Sequence, residues 1–188
     1  MSEFKVHTVD TAPEASVPLL QKAEEAMGFI PNLIGVMAES PATIEGYLSL
    51  MSIFDKSSFT PTERQVAILA ISRLNECDYC MAAHSVVASM QRVPADVIQA
   101  IRDDQPIADA KLEALRRFAA TVVEKRGWLA DEDVTAFTSA GYSRAQVLEV
   151  ILATSLKTLS NYVNHVAETP LDDVFSSRTW VPLSQPAA

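Results

Sequence analysis

Apolar side chains recur along this chain at intervals of three and four rather than two, which predicts a succession of helices. Val17, Leu20, Ala23 and Met27 mark a helix over 16–27, and Gly28 suits its end. Pro31-Asn32 opens a short helix over 33–38, and Ser40-Pro41 closes it and opens another over 42–54. Thr60-Pro61-Thr62-Glu63 is a helix start. Thr60 is placed as N-cap, Pro61 takes the first helical position, and Glu63 can reach back to the cap. Val66, Ala67, Ala70, Ile71 and Leu74 carry this helix onward until Asn75-Glu76 breaks it. Further helices are predicted over 78–91, 94–101, 107–125, 131–138 and 144–166. Residues 1–12 alternate loosely and read as an extended arm. After Pro170 the pattern is lost, so 171–188 reads as an irregular tail, with 183–188 expected to be mobile.

The expectation is one all-α domain over 1–188: the arm, N-terminal helices over 13–58, a core over 59–170 and the tail. An internal repeat is a candidate. Gln65-Val66 and Gln146-Val147 are 81 residues apart, as are His84 and His165, so 62–84 and 143–165 read either as two copies of a helix pair or as chance identities.

Charge removes whole classes of function. A net charge of −9 argues against nucleic-acid or anionic-membrane partners, which need a basic footprint. No apolar run approaches the ~18–20 residues of a membrane span, and Met1-Ser2-Glu3-Phe4-Lys5 lacks the pattern of a signal peptide. A cytoplasmic location is the expectation, and there two cysteines are more often catalytic or metal-bound than structural.

Both cysteines lie in one run, Glu76-Cys77-Asp78-Tyr79-Cys80-Met81-Ala82-Ala83-His84. If the helix begins near Asp78, Cys80 and His84 share a face as an i,i+4 pair. Cys77 then sits at the helix start, where free N–H groups and the dipole favour a thiolate, so both sulfurs are candidates for activation. Three readings compete: a redox dithiol, part of a zinc site with His84, for which a fourth ligand is wanting, and simple packing of two small residues. No metal or cofactor is assigned. For a redox dithiol the thiolate is the nucleophile, His84 can take its proton, and a third group would orient the imidazole. Glu63 heads the apolar stripe, and its capping and catalytic readings stay level; Glu76 reads as solvated. His165 reads as a helix-end polar residue or as a group facing the cysteines, and His7 as a surface residue.

With Cys77-x-x-Cys80-x-x-x-His84 after an acid-headed helix, and Asn75 just ahead, the chain resembles the alkylhydroperoxidase D-like, or carboxymuconolactone decarboxylase, family. Gly28-Phe29-Ile30-Pro31-Asn32-Leu33 and the run from Leu156 to His165 resemble a peroxidase-related branch of it. The resemblance covers most of 1–175. It implies an all-α helical bundle with an internal two-fold helical repeat, assembled as a homo-oligomer. It also implies hydroperoxide reduction, in which Cys80 attacks, Cys77 resolves, and a small dithiol or thioredoxin-like donor regenerates the pair. The family relay places a glutamate twelve residues before the first cysteine, where this chain has Gln65, so Glu63 is the substitute candidate. Tyr79 stands where a histidine is often found. The alternatives are a decarboxylase of the same family, whose chemistry needs no dithiol, and a non-enzymatic metal-binding or redox-sensing module built on Cys77, Cys80 and His84.

Overall fold

A computed structural model describes residues 4–182 of the chain; the tail positions 183–188 lie outside the described residues. Among the described residues there are nine α-helices and no strand: α1 (Val17–Met27), α2 (Asn32–Met37), α3 (Pro41–Phe54), α4 (Pro61–Leu74), α5 (Asp78–Met90), α6 (Ala95–Arg102), α7 (Ala110–Glu124), α8 (Asp131–Ser139) and α9 (Arg144–Ala167). The fold is all-α. Helix boundaries follow local chemistry. Thr60 Oγ1 accepts from the Glu63 N–H at 3.2 Å while Glu63 Oε2 accepts from the Thr60 N–H at 2.8 Å, a reciprocal cap that starts α4. Ser143 and Gln146 repeat the device at the head of α9. Helix α7 begins at Ala110, later than the apolar pattern suggested, because the Asp109 carboxylate takes the N–H groups of Lys111 and Leu112 and so sets the cap.

Helix α4 is the axis of the molecule. From Gln65 to Ser72 each of its side chains is buried, and α5, α6, α7 and α9 pack around it. Behind α7, Phe118, Phe137 and Tyr142 form a stack with centroids 4.2 and 4.4 Å apart, and the Phe59 ring meets Tyr142 edge-on.

Three expectations need correction. The tail is not irregular throughout: Asp173–Arg178 forms a 3₁₀ helix packed on α5, with Phe175 against the rings of Phe29 and Tyr79. Arg102 ties it down by donating to the carbonyls of Arg178 and Thr179, and Trp180 Nε1 donates to the Arg102 carbonyl. Those partners are some 77 residues away, out of reach of local patterning. His7 is buried rather than on the surface, its ring held between the Thr11 carbonyl at 2.9 Å and the Glu39 carboxylate at 2.7 Å. The arm can approach α2 there because Gly35 has no side chain; a Cβ would stand 2.8 Å from the His7 carbonyl oxygen. The internal repeat is not shown either. Where α4 and α5 are separate helices with a break at Asn75-Glu76, 144–167 is one continuous helix.

Candidate active site

The break between α4 and α5 presents the cysteines. Asn75 ends α4, Glu76 turns the chain through a left-handed φ of 55°, and Cys77 becomes the N-cap of α5. Glu76 is exposed, while Cys77 and Cys80 are 0% and 1% exposed and free.

Helix α9 crosses this point. Its inner face, apolar at Val150, Ala153 and Leu156, turns polar at Lys157, Ser160, Asn161 and Asn164, all buried. Lys157 Nζ donates to Cys80 Sγ at 3.3 Å and lies 3.2 Å from His84 Nε2. Asn164 Nδ2 donates to Cys80 Sγ at 3.3 Å and to Cys77 Sγ at 3.6 Å, and Ser160 Oγ is 4.0 Å from Cys80 Sγ. On its other side His84 Nδ1 meets Gln65 Oε1 at 3.2 Å, and Gln65 Nε2 donates to Gln91 Oε1. Gln65 Oε1 is therefore the acceptor and His84 Nδ1 carries the hydrogen, which leaves Nε2 as a lone pair facing the Lys157 ammonium.

The two thiols are driven apart. Burial by itself would raise Cys80, but the hydrogen bond from Cys77, the charge and hydrogen bond of Lys157, and Ser160 outweigh it, and Cys80 is lowered to about 5. Cys77 is raised, first because its proton serves Cys80 and then by burial. Burial would lower Lys157, yet the Cys80 thiolate raises it. Burial and then the Lys157 charge hold His84 well below its ordinary value, so the ring is neutral. At neutral pH the site is an ammonium–thiolate pair with a protonated second thiol and a neutral imidazole behind the ammonium.

This arrangement revises the residue roles expected above. Only Cys80 is activated, although Cys77 has the helix start: the N-cap position is offset by burial and by donation to its neighbour. Cys80 and His84 do lie one turn apart, but Lys157 stands between them. Glu63 is not brought to His84. Its carboxylate is held by the Thr60 N–H and by Lys111 Nζ at 3.0 Å, and these contacts outweigh burial and lower its pKa. Gln65 is the residue that orients His84. The Tyr79 hydroxyl donates to Asp172 at 2.6 Å and accepts from the Leu33 N–H, which ties α5 to the tail and to α2. His165 is exposed and lies against Tyr162; Asn164, its neighbour in sequence, is the one that reaches the sulfurs. Sequence reasoning missed Lys157, Ser160 and Asn164. The signal was there: Lys157 continues the 150, 153, 156 stripe with a charge, and a charge in a buried stripe needs a partner.

Residues 41–125 match the Carboxymuconolactone decarboxylase family. No curated protein sequence matches the chain. Among solved structures, an uncharacterized peroxidase-related protein from Ralstonia eutropha JMP134, described as an alkylhydroperoxidase AhpD core, superposes with a TM-score of 0.82 at 20% identity over 95% of this chain and 96% of that one. A peroxidase-related protein from Silicibacter sp. TM1040 gives 0.78 at 15% identity over 94% and 93%. The debrominase Bmp8, as a cysteine-to-alanine variant in complex with 2,3,4-tribromopyrrole, gives 0.77 at 20% identity over 95% and 96%. The chain thus has the all-α fold of an alkylhydroperoxidase AhpD core, and its residues 41–125 are similar to the carboxymuconolactone decarboxylase family.

Proposed function

We propose that this protein is a thiol-dependent peroxidase that reduces hydroperoxides through Cys80 and Cys77. The observation that carries the reading is the buried Lys157 ammonium 3.3 Å from Cys80 Sγ, beside a Cys77 thiol kept protonated. A peroxidatic sulfur must be a thiolate at working pH and must have an acid at hand for the departing alkoxide. Lys157 serves both needs, and His84 Nε2, 3.2 Å away, holds the lysine on the sulfur. In the first step the S–O bond forms as O–O breaks, giving a Cys80 sulfenic acid and an alkoxide that takes a proton from Lys157. Cys77 then attacks the sulfenic sulfur, water leaves with the Cys77 proton, and a disulfide closes. An external dithiol reduces it. Because both sulfurs are buried, a small dithiol suits this step better than a bulky protein thiol.

A decarboxylase would use neither sulfur, so the coupled pair argues against that reading. A metal site at Cys77, Cys80 and His84 would have to displace the Lys157 ammonium, which already occupies the space between Cys80 and His84. A homo-oligomer is supported by the outer face of α9, where exposed Leu148, Ile151, Tyr162 and Val166 run along one side; the last three help line an open cavity of about 980 Å³.

The test is hydroperoxide consumption with a panel of dithiol donors, with 2,3,4-tribromopyrrole included as a second substrate because of the fold shared with the debrominase. Turnover of hydroperoxide that is lost in Cys80→Ser is the expected result. Unchanged turnover in that variant, or bromide release without any hydroperoxide reduction, would sink the peroxidase reading. Sedimentation at micromolar concentration checks the assembly, and a monomer counts against it.

A further inference from the structure

Two polar atoms on the inner face of α9 are buried without a partner: Asn161 Nδ2, a donor, and Asn164 Oδ1, an acceptor. Their residues are 0% and 4% exposed and lie one turn apart. Neither amide is free to rotate away from this state. Asn161 is pinned by its oxygen, which accepts from Asn75 Nδ2 at 2.9 Å, and Asn164 by its nitrogen, which donates to both sulfurs. A buried donor or acceptor left unmet is destabilising, so two of them one turn apart on one helix face, one on an amide that touches both sulfurs, call for a ligand.

Geometry limits what that ligand is. Standard amide bond lengths put Oδ1 about 2.3 Å from its own Nδ2, so Asn164 Oδ1 lies within about 5.6 Å of Cys80 Sγ, given the 3.3 Å from Nδ2 to that sulfur. A group meeting both orphans must donate one hydrogen bond and accept another within reach of the sulfur. A hydroperoxide does both through its –O–O–H end, whereas a disulfide or a dialkyl peroxide has no hydrogen to give. Burial of both sulfurs sets the size.

We propose that Asn161 and Asn164 form the docking subsite for the –OOH group of a small hydroperoxide, hydrogen peroxide or a short-chain alkyl hydroperoxide. The proposal rests on the peroxidase reading and names its substrate class. The hydroperoxide O–H donates to Asn164 Oδ1 and an oxygen accepts from Asn161 Nδ2, which holds the terminal oxygen near the Cys80 thiolate. That sulfur takes the OH group and is oxidised to sulfenic acid. The O–O electron pair leaves on the other oxygen, which Lys157 protonates, so the hydroperoxide is reduced to water or an alcohol.

The experiment follows the decay of thiolate absorbance at 240 nm after mixing reduced protein with hydrogen peroxide, tert-butyl hydroperoxide or cumene hydroperoxide. Wild type is compared with Asn161→Ala, Asn161→Ser and Asn161→Asp. Loss of the donor in N161A is expected to lower the second-order rate constant for hydrogen peroxide tenfold or more. N161S, whose hydroxyl can donate, is expected to recover part of that. The pH titration of the thiolate should be unmoved in both, a readout that separates docking from a merely structural effect. Cumene hydroperoxide should be the slowest oxidant of wild type. If N161A does not fold, N161D carries the comparison, because it keeps the acceptor for Asn75 while removing the donor, and it should lose rate as N161A does. Wild-type rate constants in the donor-free variant would overturn the subsite and leave the two atoms to an internal water. A wild-type protein whose thiolate no hydroperoxide consumes would instead overturn the peroxidase reading.

Discussion

Replacing Lys157 with methionine removes the buried ammonium and keeps much of the side chain's bulk. Cys80 is lowered from 9.0 to about 5 although burial opposes this, so the favourable contributions must be large. At 3.3 Å and an effective dielectric near 20 the ammonium–thiolate attraction is about 5 kcal/mol, which at 1.36 kcal/mol per unit is worth roughly 3 to 4 pK units. In Lys157→Met the thiol should therefore titrate between about pH 8 and 9, which leaves about a tenth to a hundredth of it ionised at pH 7. A more basic thiolate is also intrinsically more nucleophilic, by roughly 15 to 100 over 3 to 4 units, and at pH 7 the two effects nearly cancel. What remains is the loss of the acid that protonates the departing oxygen, worth about 10²–10⁴ in rate. The expected outcome is a drop of at least about a hundredfold in the rate constant for hydrogen peroxide at pH 7, which narrows by about tenfold at pH 9, as the thiol ionises, without closing. The assay pairs a 240 nm thiolate titration with stopped-flow oxidation. The variant should fold, since an apolar side chain avoids the desolvation penalty of a buried ammonium. A thiolate still titrating near pH 5, or full recovery of rate at pH 9, would refute the double role given to Lys157.

Other outcomes follow from the same geometry. Cys77→Ser should undergo a single oxidation and stop at a sulfenic acid on Cys80, seen as one added oxygen in the intact mass and captured by a sulfenic-acid reagent. Glu63→Ala should lose about 1–2 kcal/mol of stability in urea from the broken cap while its thiolate titration stays in place; a displaced titration would return Glu63 to the proton path. Stability should rise with pH between about 5 and 9. Cys80 is depressed in the folded state, so the unfolded chain binds more protons over that window, and its contribution is lost as pH falls toward 5. His84, also depressed, acts in the same direction below its ordinary 6.5, so urea midpoints should climb from pH 5.5 to 8 and do so less steeply in Cys80→Ala. Phe137→Ala, which empties the middle of the Phe118–Phe137–Tyr142 stack, should destabilise the fold by about 3–5 kcal/mol in thermal or denaturant melts.

Much of this protein is legible one residue at a time. Periodicity located the helices because an amphipathic helix writes its buried stripe into the sequence at intervals of three and four. Caps such as Thr60–Glu63 set boundaries within four residues of chain, so they too are local. The dithiol was visible because two cysteines three apart with a histidine one turn on are placed together by helix geometry alone. The tertiary structure decided which sulfur is activated and by what. Lys157 meets Cys80 across 77 positions and Asn164 meets it across 84, distances no local pattern spans. Glu63 was a reasonable relay candidate by spacing, yet the helix rotation turns Gln65 toward His84 and leaves Glu63 to cap its helix and hold Lys111. The His7 and tail contacts were hidden for the same reason, since their partners come from distant segments. Sequence settled the elements and the reactive pair; packing settled the charge beside it, because an ammonium buried against a sulfur exists only once α9 lies across the start of α5.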